Sequence, residues 1–327
     1  MLPPQPSYPP TALSVPPISQ QINPAIAYIA TLRSGVSKTG MQSTLKRVCE
    51  CILQTDFANW TDAATAIDWQ LWLTPIALQA VLAAYGSSNP NTLNKIRALY
   101  RGIANVSFDL GIITADQLTR VNRVKTIRGE VLPAGRYINS SERDKMIENA
   151  DSDTSPIGTR DAALLALMTA CGLRRSEVAA LSVVDWQPST GEMLIKGKGN
   201  KQRLVYPASW AVALLSDWLS VRGEENGGLF CPIKQGGNIL PARHLTPAAI
   251  NLIVANRAKA AEVENVRTHD FRRSLASDLL DRCDVKTVAD ALGHANIATT
   301  GRYDRRGERA KKAAMQAVQG FSRKDRL

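Results

Sequence analysis

The 327-residue chain carries 40 Lys/Arg against 29 Asp/Glu, a formal charge of +11 and a pI near 9.6. Such an excess attracts a polyanion through counterion release, without choosing among DNA, RNA and an anionic membrane. No run is long and apolar enough for a membrane span, no signal peptide is legible, and the five cysteines, odd in number, read as reduced thiols. The chain is therefore expected in the cytoplasm.

The length suits two domains, both basic, with 12 Lys/Arg against 7 Asp/Glu in residues 1–138 and 28 against 22 in the rest. Residues 1–20 are rich in Pro, Ser and Gln and carry no charge, which predicts a disordered arm. Helical periods then fill residues 21–125. Ser37 is placed to cap a helix carrying Met41, Leu45, Val48 and Ile52, and Thr92 to open another carrying Leu93, Ile96, Leu99 and Ile103. Lys46, Arg47, Lys95, Arg97 and Arg101 fall largely off these apolar stripes, so they form either a solvated face or a DNA-binding face. Trp60, Trp69 and Trp72 read as core rather than as a base-stacking platform. Over 126–139, Gly129, Pro133 and Gly135 interrupt the periodicity and mark a linker.

A second domain is expected over 140–327. Leu164, Leu165, Leu167, Met168 and Cys171 predict a buried helix that Gly172 ends, leaving Arg174 and Arg175 at the edge of the core, where a guanidinium can offer a planar fork to a phosphate. Glu192 to Ile195 and Arg203 to Tyr206 read as a β-hairpin with Lys198 at its tip, and Lys201 and Arg203 become further candidate DNA contacts. His244 precedes Thr246-Pro247, a capped helix start, and is either structural or a phosphate contact. Thr268 is expected to cap a helix through Phe271, Leu275 and Leu279, which sets His269 and Arg272 three apart in its first turn, beside N–H groups that favour an anion. A shorter helix runs from Asp284, as N-cap, through Val285, Val288 and Leu292 to Gly293. His294 starts a new segment, and Asn296 caps a third helix through Ile297 and Thr300 with Tyr303 near its far end. Beyond it, Ala310, Ala314, Val318 and Phe321 form an apolar stripe that packs on its own domain or on a neighbouring protomer.

Taken singly these residues have ordinary explanations, since most histidines are surface or satisfied side chains and most exposed arginines are solvated. Their combination is more informative: two of the chain's three histidines stand beside Arg272 and Tyr303. The strings G-L-R-R-S-E, G-K-G-N-K-Q-R, T-H-D-F-R-R-S-L-A-S, L-G-H-A-N-I-A-T-T and R-Y-D-R-R, in this order over roughly residues 139 to 310, resemble the tyrosine recombinase, or phage integrase, family. The resemblance implies a mainly α fold, with a helical core-binding domain and an α-rich catalytic domain holding a small antiparallel β-sheet. It implies Arg174 and Arg272 as a phosphate clamp, Lys198 as general acid, His269 as acid/base helper, His294 as a further phosphate or transition-state contact and Tyr303 as nucleophile. Arg174 is preferred to Arg175 because it completes the G-L-R string. The implied partners are a double-stranded DNA site, a homotetramer on synapsed duplexes and an accessory DNA-binding protein. No cofactor, metal or ATP is implied. The other readings are a non-catalytic DNA-binding protein on the same scaffold and a topoisomerase-like nicking and closing enzyme.

Overall fold

The computed structural model describes residues 22–33, 35–129, 135–197, 201–293, 297–301 and 315. The chain divides into two compact units, Met1–Leu132 and Pro133–Leu327. As the sequence implies, the fold is mainly helical with one small sheet. None of the described helices is long and apolar enough to cross a membrane.

The first unit is built from α1 (Pro24–Thr31), α2 (Gly35–Leu53), α3 (Trp60–Thr65), α4 (Trp69–Trp72), α5 (Pro75–Ala84), α6 (Pro90–Asp109) and α7 (Ala115–Asn122). Leu93, Ile96, Leu99 and Ile103 of α6 are buried as their spacing requires, and they meet Leu45 and Val48 of α2 in one core. Trp69 lies in that core, its indole N–H bonded to the Ala64 carbonyl at 2.9 Å and its ring edge-on to Tyr100 at 6.4 Å. Two helix starts differ from expectation. α2 begins at Gly35, so Ser37 lies inside the first turn, where N–H groups lack intrahelical acceptors and serine is accommodated equally well. α6 begins at Pro90 because Asn89 accepts the Asn91 N–H at 2.8 Å and proline has the φ of a first helical residue, which places Thr92 one turn inside.

The second unit contains α8 (Ser140–Asp151), α9 (Pro156–Cys171), α10 (Arg175–Ala180), β1 (Trp186–Gln187), β2 (Glu192–Lys196), β3 (Gln202–Val205), α11 (Ser209–Arg222), α12 (Pro247–Ala260), α13 (Thr268–Leu280), α14 (Val285–Leu292) and α15 (Ile297–Gly301). Helix α9 is the axis of the core, apolar on every side and flanked by α8, α11 and α13. The full burial of Leu164, Leu165, Leu167 and Met168 contributes about 1.5–3 kcal/mol apiece. The expected hairpin is present as β2 and β3, antiparallel with Met193 opposite Val205 and Lys196 opposite Gln202, and the Gly197 N–H donates to the Lys201 carbonyl at 2.7 Å. β1 completes the sheet on the other side of β2, and at two residues it is too short for alternation to be visible in the sequence.

Residues 126–129 and 135–139 form neither helix nor strand, yet side chains of their own units hold them. Asn94 exchanges hydrogen bonds with both backbone groups of Ile127, at 2.8 and 2.9 Å. In the second unit, Arg273 donates to the Gly135 carbonyl, Arg136 N–H to Asp270, Tyr137 hydroxyl to Asp278 and Ile138 N–H to Ser274 Oγ, all on α13. A Cβ on Gly135 would lie 2.0 Å from Asp270 Oδ1, so only glycine permits this approach.

Gly172 ends α9 in the left-handed region at φ +57°, where a Cβ would also press on Leu275 and Leu292 at 3.0 and 2.9 Å. Gly172→Ala is expected to cost at least about 1–2 kcal/mol, measured as a lower urea midpoint with unchanged slope. An unshifted midpoint would refute the assignment.

Candidate phosphate-binding active site

The left-handed turn at Gly172 reverses the chain at the end of α9, buries Leu173, and delivers Arg174 to the start of α10 with its side chain 38% exposed. Glu177, three residues on, points back. One of its carboxylate oxygens accepts the Arg174 N–H at 2.9 Å and the other the Arg174 guanidinium at 2.6 Å. From β3, Arg203 places two N–H groups on the same carboxylate at 3.0 and 2.9 Å. Glu177 is thus a buried anion, 3% exposed, shared by two guanidinium groups. Burial alone would raise its pKa, but hydrogen bonds from Arg203 and Arg174 and the charge of Arg203 overrule that cost and hold it at about 2.

Arg272 comes from α13 and is completely buried. Its guanidinium donates to the Gly172 carbonyl at 2.9 Å and to the Leu292 carbonyl. Arg174 reaches the next carbonyl, that of Gly293, at 3.3 Å. Gly293 ends α14 at φ +65°, and a Cβ there would meet Arg203 Cδ at 2.9 Å. Three arginines from three elements therefore converge on the carboxyl end of α14, where orphan carbonyls and the negative end of the helix dipole favour cations.

His269 lies in the first turn of α13, three residues from Arg272 as the spacing requires. The N-cap is Arg267 rather than Thr268. Asp270 takes the Arg267 N–H at 2.9 Å, which starts the helix one residue early, and the Thr268 hydroxyl donates instead to Asn251 at 3.0 Å. His269 and Arg174 line an open cleft of about 530 Å³. The imidazole is exposed at that cleft, but neighbouring protein atoms desolvate its ring, and this, with the charges of Arg272 and Arg174, pulls its pKa below the ordinary 6.5. Near neutral pH it is an acceptor. Two guanidinium groups and a neutral imidazole can bind a tetrahedral anion and take a proton from a group attacking it.

The structure thus brings Arg174, His269 and Arg272 together. Lys198, His294 and Tyr303 lie outside the described residues, as do Asn296 and nearly all of the segment after Gly301. Of the helix expected through Ile297 and Thr300 with Tyr303 near its far end, Ile297–Gly301 is described as α15, with Thr300 buried. His244 is exposed, and its Nδ1 lies 3.1 Å from the Ala179 carbonyl, which ties the loop before α12 to α10. Lys201 is exposed at the turn end of the hairpin, just before β3. In the first unit, Lys46 pairs with Glu50 at 3.2 Å, Lys95 reaches over Gly40, and Arg97 and Arg101 bond to the Val124 carbonyl and the Asn122 amide at 2.6 and 2.7 Å. Of those five cations only Arg47 is exposed. Among the described residues no three His, Cys, Asp or Glu side chains gather as a metal site.

Residues 136–309 match the profile of the phage integrase family, more than half of the chain. The chain belongs to this family. It is 35% identical over 155 residues to tyrosine recombinase XerC of Shewanella amazonensis, a match covering 45% of this chain and 49% of the relative, so that it spans about half of that relative's length. With XerC of Pseudomonas fluorescens the identity is 30% over 287 residues, 85% of this chain and 89% of the relative. In fold, it resembles the crystal structure of the site-specific recombinase XerH bound to palindromic difH substrate in a post-cleavage complex. There the TM-score is 0.63 at 19% identity, over 90% of this chain and 93% of the other.

In this family member, Glu177 is the site residue that sequence reasoning passed over, since it enters there only as the last letter of the G-L-R-R-S-E string. A signal was available: an acidic residue three positions after a helix N-cap is the reciprocal half of a capping box. Arg203, read as a DNA contact, turns inward to Glu177 and is only 14% exposed in its side chain. No local pattern announces that, because the two residues are 26 positions apart.

Because the Glu177 pKa is about 2 in the fold against an ordinary 4.5, its contribution to stability is present above pH 4.5 and is lost as pH falls through about 2. Glu177→Gln should cost about 3 kcal/mol at neutral pH, and the gap to the parent should close as pH drops from 4.5 toward 2. Denaturation series across that window would test this, and a constant gap would refute it. For His269, an NMR titration should give a midpoint below 6.5 that rises in Arg174→Met. An unmoved midpoint would remove Arg174 from the imidazole's surroundings.

Proposed function

We propose that this chain is a site-specific DNA recombinase that cleaves and rejoins duplex DNA through a 3′-phosphotyrosyl intermediate, without metal or ATP, and exchanges strands between two sites of a mobile element or replicon. The observation that carries this reading is the meeting of Arg174, His269 and Arg272 about one corner, with both guanidinium groups tied to adjacent carbonyls of the α14 terminus. Hydrolysis by an activated water would need no such pair followed closely by a tyrosine. A phosphodiester held by two fixed cations is ready for in-line attack, and the cations match the charge that develops on the non-bridging oxygens.

In this reading the Tyr303 hydroxyl attacks phosphorus, and His269, neutral near pH 7, takes its proton. Free tyrosine has a pKa of about 10 and would otherwise be a poor nucleophile. The P–O5′ bond breaks, Lys198 delivers a proton to the leaving oxygen, and the new phosphotyrosyl bond conserves the phosphodiester for attack by a second strand's 5′ hydroxyl. His294, which directly follows the Gly293 carbonyl that holds Arg174, adds a further contact to the phosphate. Two duplexes require four protomers, with an accessory DNA-binding protein setting the direction. Exposed cations such as Arg47 and Lys201 contact the backbone outside the cleavage point.

Tyr303→Phe should bind duplex DNA like the parent but give no denaturation-resistant adduct on a nicked suicide substrate, whereas the parent should form one in the presence of EDTA. An adduct from the variant would remove Tyr303 from the role. Cleavage by the parent that vanishes with EDTA and returns with Mg²⁺ would replace the mechanism with a metal-dependent one.

A further inference from the structure

The cations around the site fall into two groups. Arg203 is bound to Glu177, Arg174 to Glu177 and the Gly293 carbonyl, and Arg272 to the carbonyls of two helix ends. On neighbouring elements, Arg273 is bound to the Gly135 carbonyl and Arg257 to Asp153 and Asp161. Arg175 and Arg267 differ. Both are exposed, both line the same cleft as Arg174 and His269, and among the described residues neither guanidinium has an ion pair or hydrogen bond.

Among the described residues no carboxylate lines that cleft. Ser176 and Asn251 contribute polar groups, and because Asn251 Oδ1 already accepts the Thr268 hydroxyl, its amide N–H₂ is the end left to donate. Arg272 is not among the described lining residues, so the cleft extends from Arg174 toward Arg175 and Arg267 rather than into the buried carbonyl cradle of Arg272. Its volume of about 530 Å³ is more than one phosphate fills. Two cations without described partners around one concavity, beside Arg174, repel each other, and the arrangement becomes more favourable when an anion enters. A DNA strand meets this need, because its charges recur about every 3.4 Å of helix axis and a bound phosphate always brings neighbours.

We propose that Arg175 and Arg267, together with the Asn251 amide, form a second backbone-phosphate subsite that grips a phosphodiester adjacent to the one held by Arg174 and Arg272. This deepens the recombinase reading and rests on it. The subsite reads no bases; it fixes the path of the strand so that the reacting phosphate cannot slide along the cleft.

The test uses the full-length protein and a fluorescein-labelled duplex of mixed sequence, with anisotropy titrations over a range of salt concentrations. Arg175→Ala and Arg267→Ala are compared with Arg282→Ala, an exposed cation just beyond the far end of α13, about 20 Å from Arg267 along the helix. Each cleft variant should lower the slope of log K against log salt by up to about 0.9, the value of one phosphate contact, and the double variant by about twice that. Arg267→Lys should regain most of the slope, and Arg282→Ala should change it little. Because the replaced side chains are exposed, melting temperatures should match the parent, which separates lost contacts from lost fold. Slopes for the cleft variants no different from that of Arg282→Ala would overturn the subsite. A parent that fails to bind duplex, or to form the Tyr303 adduct, would instead overturn the recombinase reading itself.

Discussion

A completely buried guanidinium is the constraint on which the rest of the second unit depends. Moving Arg272 out of water costs several kcal/mol unless its N–H groups are matched. The fold matches them with backbone carbonyls at the ends of α9 and α14, groups that would otherwise be orphaned where their helices stop. The two needs cancel. Each hydrogen bond to a charged group contributes roughly 1.5–3 kcal/mol, and both helix dipoles present their negative ends to the cation. Lysine could not replace it, because a point charge with three donors does not span two helix ends as a planar fork does.

The same arrangement explains why glycine ends both helices. Gly172 and Gly293 turn the chain through the left-handed region, and their lack of Cβ atoms lets Leu275, Leu292 and Arg203 come within about 3 Å of where those atoms would be. The carboxyl ends of α9 and α14 can then flank one side chain from α13. Glu177 supplies what backbone carbonyls cannot, a full negative charge. Shared between Arg174 and Arg203, it fixes the more exposed arginine against a less exposed one, so that Arg174 keeps its orientation without the site losing its net positive charge. Under the proposed reading, an entering phosphate would find donors already aimed, with little reorganisation on binding.

What the sequence made legible follows from the range of each interaction. The apolar periods of α6 and α9, the Gly172 and Gly293 stops, the Asp284 and Thr246 caps and the β2–β3 hairpin are encoded within a few residues, and the structure has them as read. Three helix starts are displaced: α2 already includes Gly35, two residues before Ser37, while rival caps within a turn decide the other two, Asn89-Pro90 outweighing Thr92 and Asp270 drawing the start of α13 to Arg267. Of the site, the placement of His269 and Arg272 on one turn was legible because α-helical spacing sets it. Glu177 as a hub and the inward turn of Arg203 were not, since a side chain's partner across 26 residues has no local signature. The same reason hid the roles of Arg97 and Arg101, which look solvated by periodicity but reach groups 27 and 21 residues away.

Helix α13 is asked to do two things at once. His269 and Arg272 serve the cleft and the helix ends, while Asp270, Arg273, Ser274 and Asp278 hold residues 135–138, with Asp278 also accepting Arg143 of α8 at 2.8 Å. Residues that alternate so closely along one helix cannot move independently. A rotation that kept Arg272 on its carbonyls would have to carry Asp270 and Ser274 with it, breaking the bonds to Arg136 and Ile138. The backbone just after the division between the two units is therefore mechanically continuous with the helix that carries the candidate chemistry. Its several small polar contacts, each worth about 0.5–1.5 kcal/mol, together outweigh any single one and resist displacement of Arg272.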